Sequence, residues 1–133
     1  MYAVPWADLP EVEVLPNNYR RAVAGLEVGI NLVRWEHPSG TPPHVHDDAE
    51  KAVIVLEGTM EWLIAGQALQ LDEGDVAVVP RGVEHSGRTT GARVRFYEAF
   101  APSRVQNLVG FLGQGLLPPA GNEPARPERE GSP

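Results

Sequence analysis

Histidines in two separate segments are the side chains of this sequence with the clearest capacity for chemistry. The first segment, GTPPHVH, spans residues 40–46 and places His44 and His46 two residues apart. In an extended strand such residues point to the same side, so their imidazoles can converge on one metal ion while Val45 faces away. An isolated H-x-H pair is a weak indication, because many such pairs bind nothing.

The second segment, GDVAVVPRGVEH, spans residues 74–85 and ends in a third histidine. Gly74 and Asp75 favour a turn, an apolar strand follows, and Pro80 ends the hydrogen-bond ladder of that strand. Gly82 permits a tight bend. His85 therefore emerges at a fixed offset after the bend, and its imidazole has a defined direction.

Taken together, the two segments resemble the paired signatures of the cupin superfamily, and the chain is similar to its small, single-domain (cupin 2 type), metal-binding members. The signatures are H-x-H, then a Glu and a V-L-x-G ending, followed by G-D-x-x-x-x-P-x-G-x-x-H. The resemblance covers about residues 26–100. It implies an all-β, double-stranded β-helix (jelly-roll) barrel that holds one divalent metal ion on His44, His46 and His85.

The fourth ligand is where the sequence departs from the family pattern. Family members place a ligand Glu seven residues before the Gly of V-L-x-G, and counting back from Gly58 that position is Lys51, with Glu50 one residue earlier. Glu50 is the favoured ligand, because a carboxylate offsets the charge of the ion and an ammonium is repelled by it. The alternative is a three-histidine site in which Lys51 has replaced the carboxylate.

Two further groups are candidates for catalysis. Lys51 is the only lysine of the chain; with a lowered pKa it could act as a base or form an imine, and otherwise it is a solvated lysine at a strand edge. Glu98 alternates with Phe96 and Phe100, so it is either a proton-transfer group with a raised pKa or the partner of an arginine at the barrel rim. Glu57 is a second candidate for proton transfer.

Four apolar side chains are predicted to line a substrate pocket, although a plain core role fits them as well. They are Met60, Trp62, Ile64 and Phe96.

Short strands must position these groups, and the 14 Gly and 13 Pro residues favour strands joined by tight turns. In the run after Leu26, alternation assigns Val28, Ile30 and Leu32 to the core face. A short C-terminal helix is expected from Ser103 to Leu112. The cupin domain then covers residues 1–116, and a disordered Pro/Gly-rich tail covers 117–133. The candidate strands are 12–15, 19–24, 26–35, 52–57, 59–64, 68–71, 75–79 and 92–100.

Composition narrows the partners and the metal chemistry. The chain has 133 residues, a formal net charge of −7 and no basic run, so neither nucleic acid nor a membrane surface is an expected partner. It has no cysteine, which leaves histidine and carboxylate as ligands for Fe, Mn, Zn, Ni or Co. No signal peptide or membrane span is evident, and a cytoplasmic location is expected.

The resemblance implies a class of function. The expected function is a metal enzyme acting on a small oxygenated organic molecule, as a dioxygenase or a polyketide cyclase-like protein. The alternative is a cupin that binds or stores a small molecule without transforming it. A homodimer formed through sheet edges is also expected.

Overall fold

Ten strands make up nearly all of the regular structure in the computed structural model, which describes residues 3–25 and 27–103. One short 3-10 turn, Trp6–Asp8, precedes them. The strands are β1 (Val12–Leu15), β2 (Asn18–Ala24), β3 (Gly29–Trp35), β4 (Gly40–His44), β5 (Glu50–Glu57), β6 (Met60–Ile64), β7 (Gln67–Leu71), β8 (Val76–Val79), β9 (His85–Thr89) and β10 (Val94–Ala101).

The strands form two antiparallel sheets. The larger sheet has the order β1-β2-β3-β10-β5-β8, and the smaller has the order β4-β9-β6-β7. The expected all-β class is therefore confirmed. Closure of the two sheets into a barrel stays a prediction, as does a homodimer, although β1 does lie at a sheet edge. The predicted C-terminal helix, beyond its first residue, and the tail lie outside the described residues.

The core lies between the two sheets and is built around aromatic rings. Trp35 of β3 stacks on Trp62 of β6 with ring centroids 6.0 Å apart, and Phe96 of β10 meets Trp35 edge-on at 4.9 Å. The stack of Trp35 on Trp62 joins the larger sheet to the smaller one. The buried core also contains Val33, Val53, Val55, Met60, Leu71 and Val94.

The inner face of β3 is the opposite of the predicted one. Asn31, Val33 and Trp35 are buried, whereas Val28 is 47% exposed, so the assignment of Val28, Ile30 and Leu32 to the core is wrong. The apolar character of the outer face has a local cause. The N-terminal turn lies over this face, since the Trp6 ring is 6.0 Å from Tyr97, which pairs with Leu32 across the strands.

Two strands, β4 and β9, are not among the predicted ones, and each contains a candidate metal ligand. In β4, Pro42 and Pro43 interrupt the chain, but β4 is an edge strand, where missing backbone donors are tolerated. In β9, the sequence HSGRT has little β propensity. Within residues 3–25 and 27–103, no helix has the length and hydrophobicity needed to cross a bilayer.

Gly87 of β9 allows the side chains of Trp35 and Trp62 to pack closely against its backbone. A Cβ added there would meet Trp62 at 2.8 Å and Trp35 at 3.0 Å, so Gly87→Ala should lower the free energy of unfolding by about 1–3 kcal/mol. Urea denaturation measures this loss. Gly25→Ala is the matched control, because its Cβ would meet nothing closer than 3.8 Å. Equal stability of both variants would contradict the packing described here.

Candidate metal centre

The three histidines are brought together by the pairing of β4 with β9. His44 ends β4, His85 begins β9, and the two residues are direct cross-strand partners. His46 follows β4 and is buried, while Val45 between them is exposed. The backbone N–H of Gly82 donates a hydrogen bond to the carbonyl of His46 at 3.0 Å, which ties the first histidine segment to the bend of the second.

The imidazoles face one another closely enough to hold one ion. One ring nitrogen from each of His44, His46 and His85 lies within 4.8 Å of the other two. The ring centroids are 4.2 Å apart for His44 and His85, 4.7 Å for His44 and His46, and 5.0 Å for His46 and His85. Three nitrogen donors at this spacing are the chemistry of a first-row metal site.

Backbone carbonyls orient two of the rings. The Nδ1 atom of His44 lies 2.7 Å from the carbonyl oxygen of Pro42, and Nδ1 of His85 lies 2.9 Å from that of Val83. A carbonyl accepts only, so each Nδ1 carries the proton and each Nε2 keeps its lone pair. These contacts fix the tautomer that presents Nε2 to a metal.

His85 gives a direct test of whether a metal fits. Its Nε2 atom is buried and has no hydrogen-bond partner in the described part of the chain, and a buried acceptor of this kind is stabilised by an ion. Burial lowers the pKa of His85 to about 4, opposed by the hydrogen bond to Val83 and assisted by the charge of Lys51. His85 is therefore neutral at neutral pH, as metal binding requires.

The favoured fourth ligand, Glu50, lies outside this group. It is exposed at the start of β5, and the alternation of that strand buries Lys51, Val53 and Val55 instead. Lys51, only 3% exposed, occupies the inward position where the family pattern has its carboxylate. Among the described residues, three histidines can thus donate to a metal. The neighbouring Lys51 is a buried lysine on an inner strand, and not the solvated lysine at a strand edge that was the alternative.

Lys51 is held by a buried carboxylate and by aromatic rings. Its Nζ atom lies 3.1 Å from Oε2 of Glu98 and 4.7 Å from the centroid of the Trp62 ring. The Trp62 ring in turn stacks on His85 with centroids 5.9 Å apart. An ammonium, a carboxylate and the histidine group therefore lie side by side between the sheets.

Glu98 is the acceptor at the centre of this charge cluster. Its Oε1 atom accepts a hydrogen bond from Nδ2 of Asn31 at 2.9 Å and lies 3.8 Å from Nη1 of Arg20. Burial alone would raise its pKa, but the charges of Lys51 and Arg20 outweigh burial and lower the pKa to about 2. Of the two alternatives for Glu98, the raised pKa is wrong, and the carboxyl group is ionised at neutral pH and faces an arginine, Arg20, as well as Lys51.

A cavity of about 350 Å³ opens beside the histidines. Of the predicted pocket residues, Phe96 lines it, Met60 and Trp62 are buried in the core, and Ile64 packs against that core. The predicted proton-transfer group Glu57 is instead ion-paired with Arg93 at 3.0 Å, with 41% of its side chain exposed. The cavity is lined by Leu15, Arg20, Val33, Trp35, Thr41, Pro42, His44, Val45, His46, Lys51, Phe96, Glu98 and Phe100.

Two polar residues of this cluster went unnoticed in the sequence. Asn31 carried a readable signal, because it is a polar residue within an apolar strand pattern, and it proves to be fully buried. Arg20 carried none, since it sits beside Arg21 in β2 and the sequence gives no reason to prefer one arginine over the other.

The region that contains all three histidines matches a known family. A family model described as a cupin domain covers residues 31–100. Among curated proteins, the chain is similar to quercetin 2,3-dioxygenase of Bacillus subtilis (strain 168), with 33% identity over 72 residues. That alignment covers 54% of this chain and 21% of the dioxygenase, so the match spans about a fifth of the length of that protein.

Solved structures share the fold over most of the chain. An RmlC-like cupin from Shewanella frigidimarina NCIMB 400 superposes with a TM-score of 0.74 at 17% identity, covering 80% of this chain and 95% of that one. The polyketide cyclase RemF from Streptomyces resistomycificus gives 0.69 at 20% identity, covering 88% and 99%. At these identities the likeness establishes the fold alone.

Removal of the Glu98 charge should destabilise the fold strongly. Glu98→Gln leaves Lys51 and Arg20 without their buried counterion, and breaking a buried pair in this way costs about 3–5 kcal/mol. The matched control is Glu57→Gln, which breaks two exposed pairs, with Arg93 and Arg95, each worth about 0–1 kcal/mol. Urea unfolding at neutral pH measures both losses, and equal losses would contradict a buried, ionised Glu98.

The contribution of Glu98 should also depend on pH. Its folded pKa of about 2 is below the ordinary value of 4.5, so its stabilisation is complete above the unfolded pKa and is lost as the pH falls through the folded one. The stability difference between the original chain and Glu98→Gln should therefore be largest near neutral pH and should narrow below about pH 4. A difference that stays constant between about pH 4 and pH 2 would contradict the assignment.

Proposed function

The chain belongs to the cupin family, and from that premise we propose that it is a mononuclear divalent-metal enzyme acting on a small oxygenated organic molecule. One observation carries the proposal: three histidine nitrogens lie within 4.8 Å of one another, and two of those histidines line a cavity that also contains a buried lysine–glutamate pair. Metal donors, a ligand-sized space and proton-carrying groups thus share one location.

His44, His46 and His85 are the proposed ligands. The carbonyls of Pro42 and Val83 accept hydrogen bonds from Nδ1 of His44 and His85, which leaves the Nε2 lone pair of each ring available to an ion. Bound there, an Fe, Mn, Ni, Co or Zn ion would supply Lewis acidity or redox chemistry at positions that three protein ligands leave open.

The cavity walls supply binding and the exclusion of water. Val33, Phe96 and Phe100 add apolar surface to the inner sheet face that also carries the charged groups, which suits the carbon skeleton of a small organic molecule. Removing water from this space strengthens every electrostatic interaction within it.

Lys51 is the group we propose to act on the bound molecule. Its ammonium can donate a hydrogen bond or a proton to an oxygen atom that gains negative charge. Glu98, ionised and therefore a weak base, is the positioning residue that holds this ammonium at 3.1 Å. This division of roles replaces the expectation that Glu98 itself transfers the proton.

The reaction is proposed to be a dioxygenation or a polyketide-type cyclisation. The support is the similarity to quercetin 2,3-dioxygenase and the shared fold with the polyketide cyclase RemF. Both names describe proteins that act on oxygenated molecules. The apolar wall and the single lysine beside the histidines suit a substrate of that kind.

His44→Leu should abolish tight metal binding, since it removes one of three donors. We expect a loss beyond the roughly 10–100-fold that follows from altering outer-sphere partners of a metal ligand. Calorimetric titration with Zn²⁺ and Mn²⁺ measures the change. His37→Leu is the matched control, because His37 is exposed and its Nδ1 atom lies 2.8 Å from Oγ1 of Thr89, outside the group. Equal affinities in both variants would refute the site.

Glu50→Ala tests the ligand count. The exposed position of Glu50 predicts that this variant keeps the metal content of the original chain, measured by elemental analysis after purification without chelators. Loss of metal in Glu50→Ala would restore Glu50 as the fourth ligand. His44→Leu, measured in the same series, sets the level that corresponds to a broken site.

Turnover separates an enzyme from a binding protein. The metal-loaded chain should consume oxygen with quercetin or convert an aromatic polyketide, with product formation followed by mass spectrometry, and Lys51→Met should reduce the rate at least about tenfold. Binding of these molecules without conversion, aerobically and anaerobically, would instead favour the alternative function, a cupin that holds a small molecule.

A further inference from the structure

We propose that the cavity binds an organic anion, a small carboxylate with an apolar or aromatic body, and that Arg20 receives the carboxylate group. The inference deepens the proposed function, on which it rests for the identity of the site, by naming the class of molecule that enters. It is carried by the charges, the unused donors and the shape of the cavity wall.

The charges that line the cavity do not balance. Arg20 and Lys51 are cations and Glu98 is the anion that faces both, so the charged side chains of this lining leave an excess of one positive charge. This local excess contrasts with the net charge of −7 for the whole chain. A negatively charged guest would complete the balance.

The histidine group does not offset this excess. Histidine side chains carry no negative charge, and the inward position beside them holds Lys51 where a carboxylate would offset the charge of an ion. Glu98 cannot serve that purpose as well, because it already faces two cations. Any divalent ion held by the histidines would therefore strengthen the preference for an anionic guest.

The guanidinium group of Arg20 has hydrogen-bond donors that no acceptor among the described residues uses. Its Nε atom is buried without a hydrogen-bond partner among the described residues, and its Nη1 atom is 3.8 Å from Glu98, too far for a hydrogen bond. Arg21 differs, since its Nη1 atom donates to the carbonyls of Trp6, Ala7 and Leu9. The planar fork of a guanidinium group matches a carboxylate, which accepts two parallel hydrogen bonds from it.

The rest of the wall selects the body of the guest. Val33, Trp35, Phe96 and Phe100 line the cavity with apolar and aromatic surface. Its volume of about 350 Å³ lies near the lower end of the roughly 300–1,000 Å³ of small-molecule sites. A flat carboxylate of modest size fits these walls better than inorganic phosphate, which has no apolar part to bury.

The experiment compares cinnamate and benzoate with their uncharged amides, which match the acids in shape. Isothermal titration calorimetry on the Mn²⁺-loaded chain should show each acid binding at least about tenfold more tightly than its amide, as expected for hydrogen bonds to a charged group. Arg20→Gln should remove most of this preference, and Arg20→Lys should keep part of it, because the charge remains while the fork is lost.

Arg88→Gln is the matched control. Arg88 lies on β9, pairs with Glu61 and has 68% of its side chain exposed, so its loss should leave the preference for acids unchanged. Thermal unfolding confirms that each variant is folded. The proposal fails if the original chain binds neither acid, binds acid and amide equally, or keeps its preference in folded Arg20→Gln.

Metal content, measured on the same samples, separates the two proposals. A chain that retains Mn²⁺ and shows no preference for acids overturns the anion site and leaves the metal centre intact. A chain that holds neither Mn²⁺ nor any of Fe, Ni, Co and Zn, yet prefers acids through Arg20, supports the anion site and counts against the metal enzyme.

Discussion

The buried ion pair between Lys51 and Glu98 is the constraint around which this structure is arranged. Two charges can leave water only if each is compensated, and here the compensation comes from neighbouring strands. Glu98 of β10 has Lys51 diagonally opposite on β5, and Asn31 directly opposite on β3. Because three central strands of one sheet each contribute a group, the register of that sheet and the charge state of its inner face are coupled.

The histidine group depends on a different kind of positioning. Its strands, β4 and β9, have little intrinsic preference for extended structure, and their place is set by pairing and by packing on the aromatic core. Gly87 lets Trp35 and Trp62 approach β9, and the Trp62 ring then supports His85. The carbonyls of Pro42 and Val83, each two residues before its histidine, complete the orientation. The packing of the aromatic core therefore also determines the orientation of the histidine side chains.

Much of the fold and of the site could be predicted from the sequence, because turn residues and the residue spacing within each of the two histidine segments are local signals. Strands built on alternation were found, whereas β4 and β9 were not, since their sequences serve the site rather than strand propensity. The inner face of β3 was misassigned because both of its faces carry apolar residues. Which of Glu50 and Lys51 points inward depends on the phase of the strand, and only the three-dimensional arrangement supplies that phase.

The position of the carboxylate determines what this site can accept. A glutamate at the position of Lys51 would offset part of the charge of a bound ion. In this chain the carboxylate instead stands one strand away, at Glu98, where it balances a lysine and faces Arg20. The same number of acidic groups thus leaves the surroundings of the histidine group more positive and adds cationic hydrogen-bond donors to the cavity wall. Moving one charge between neighbouring strands therefore changes the class of guest that the cavity favours without changing the fold.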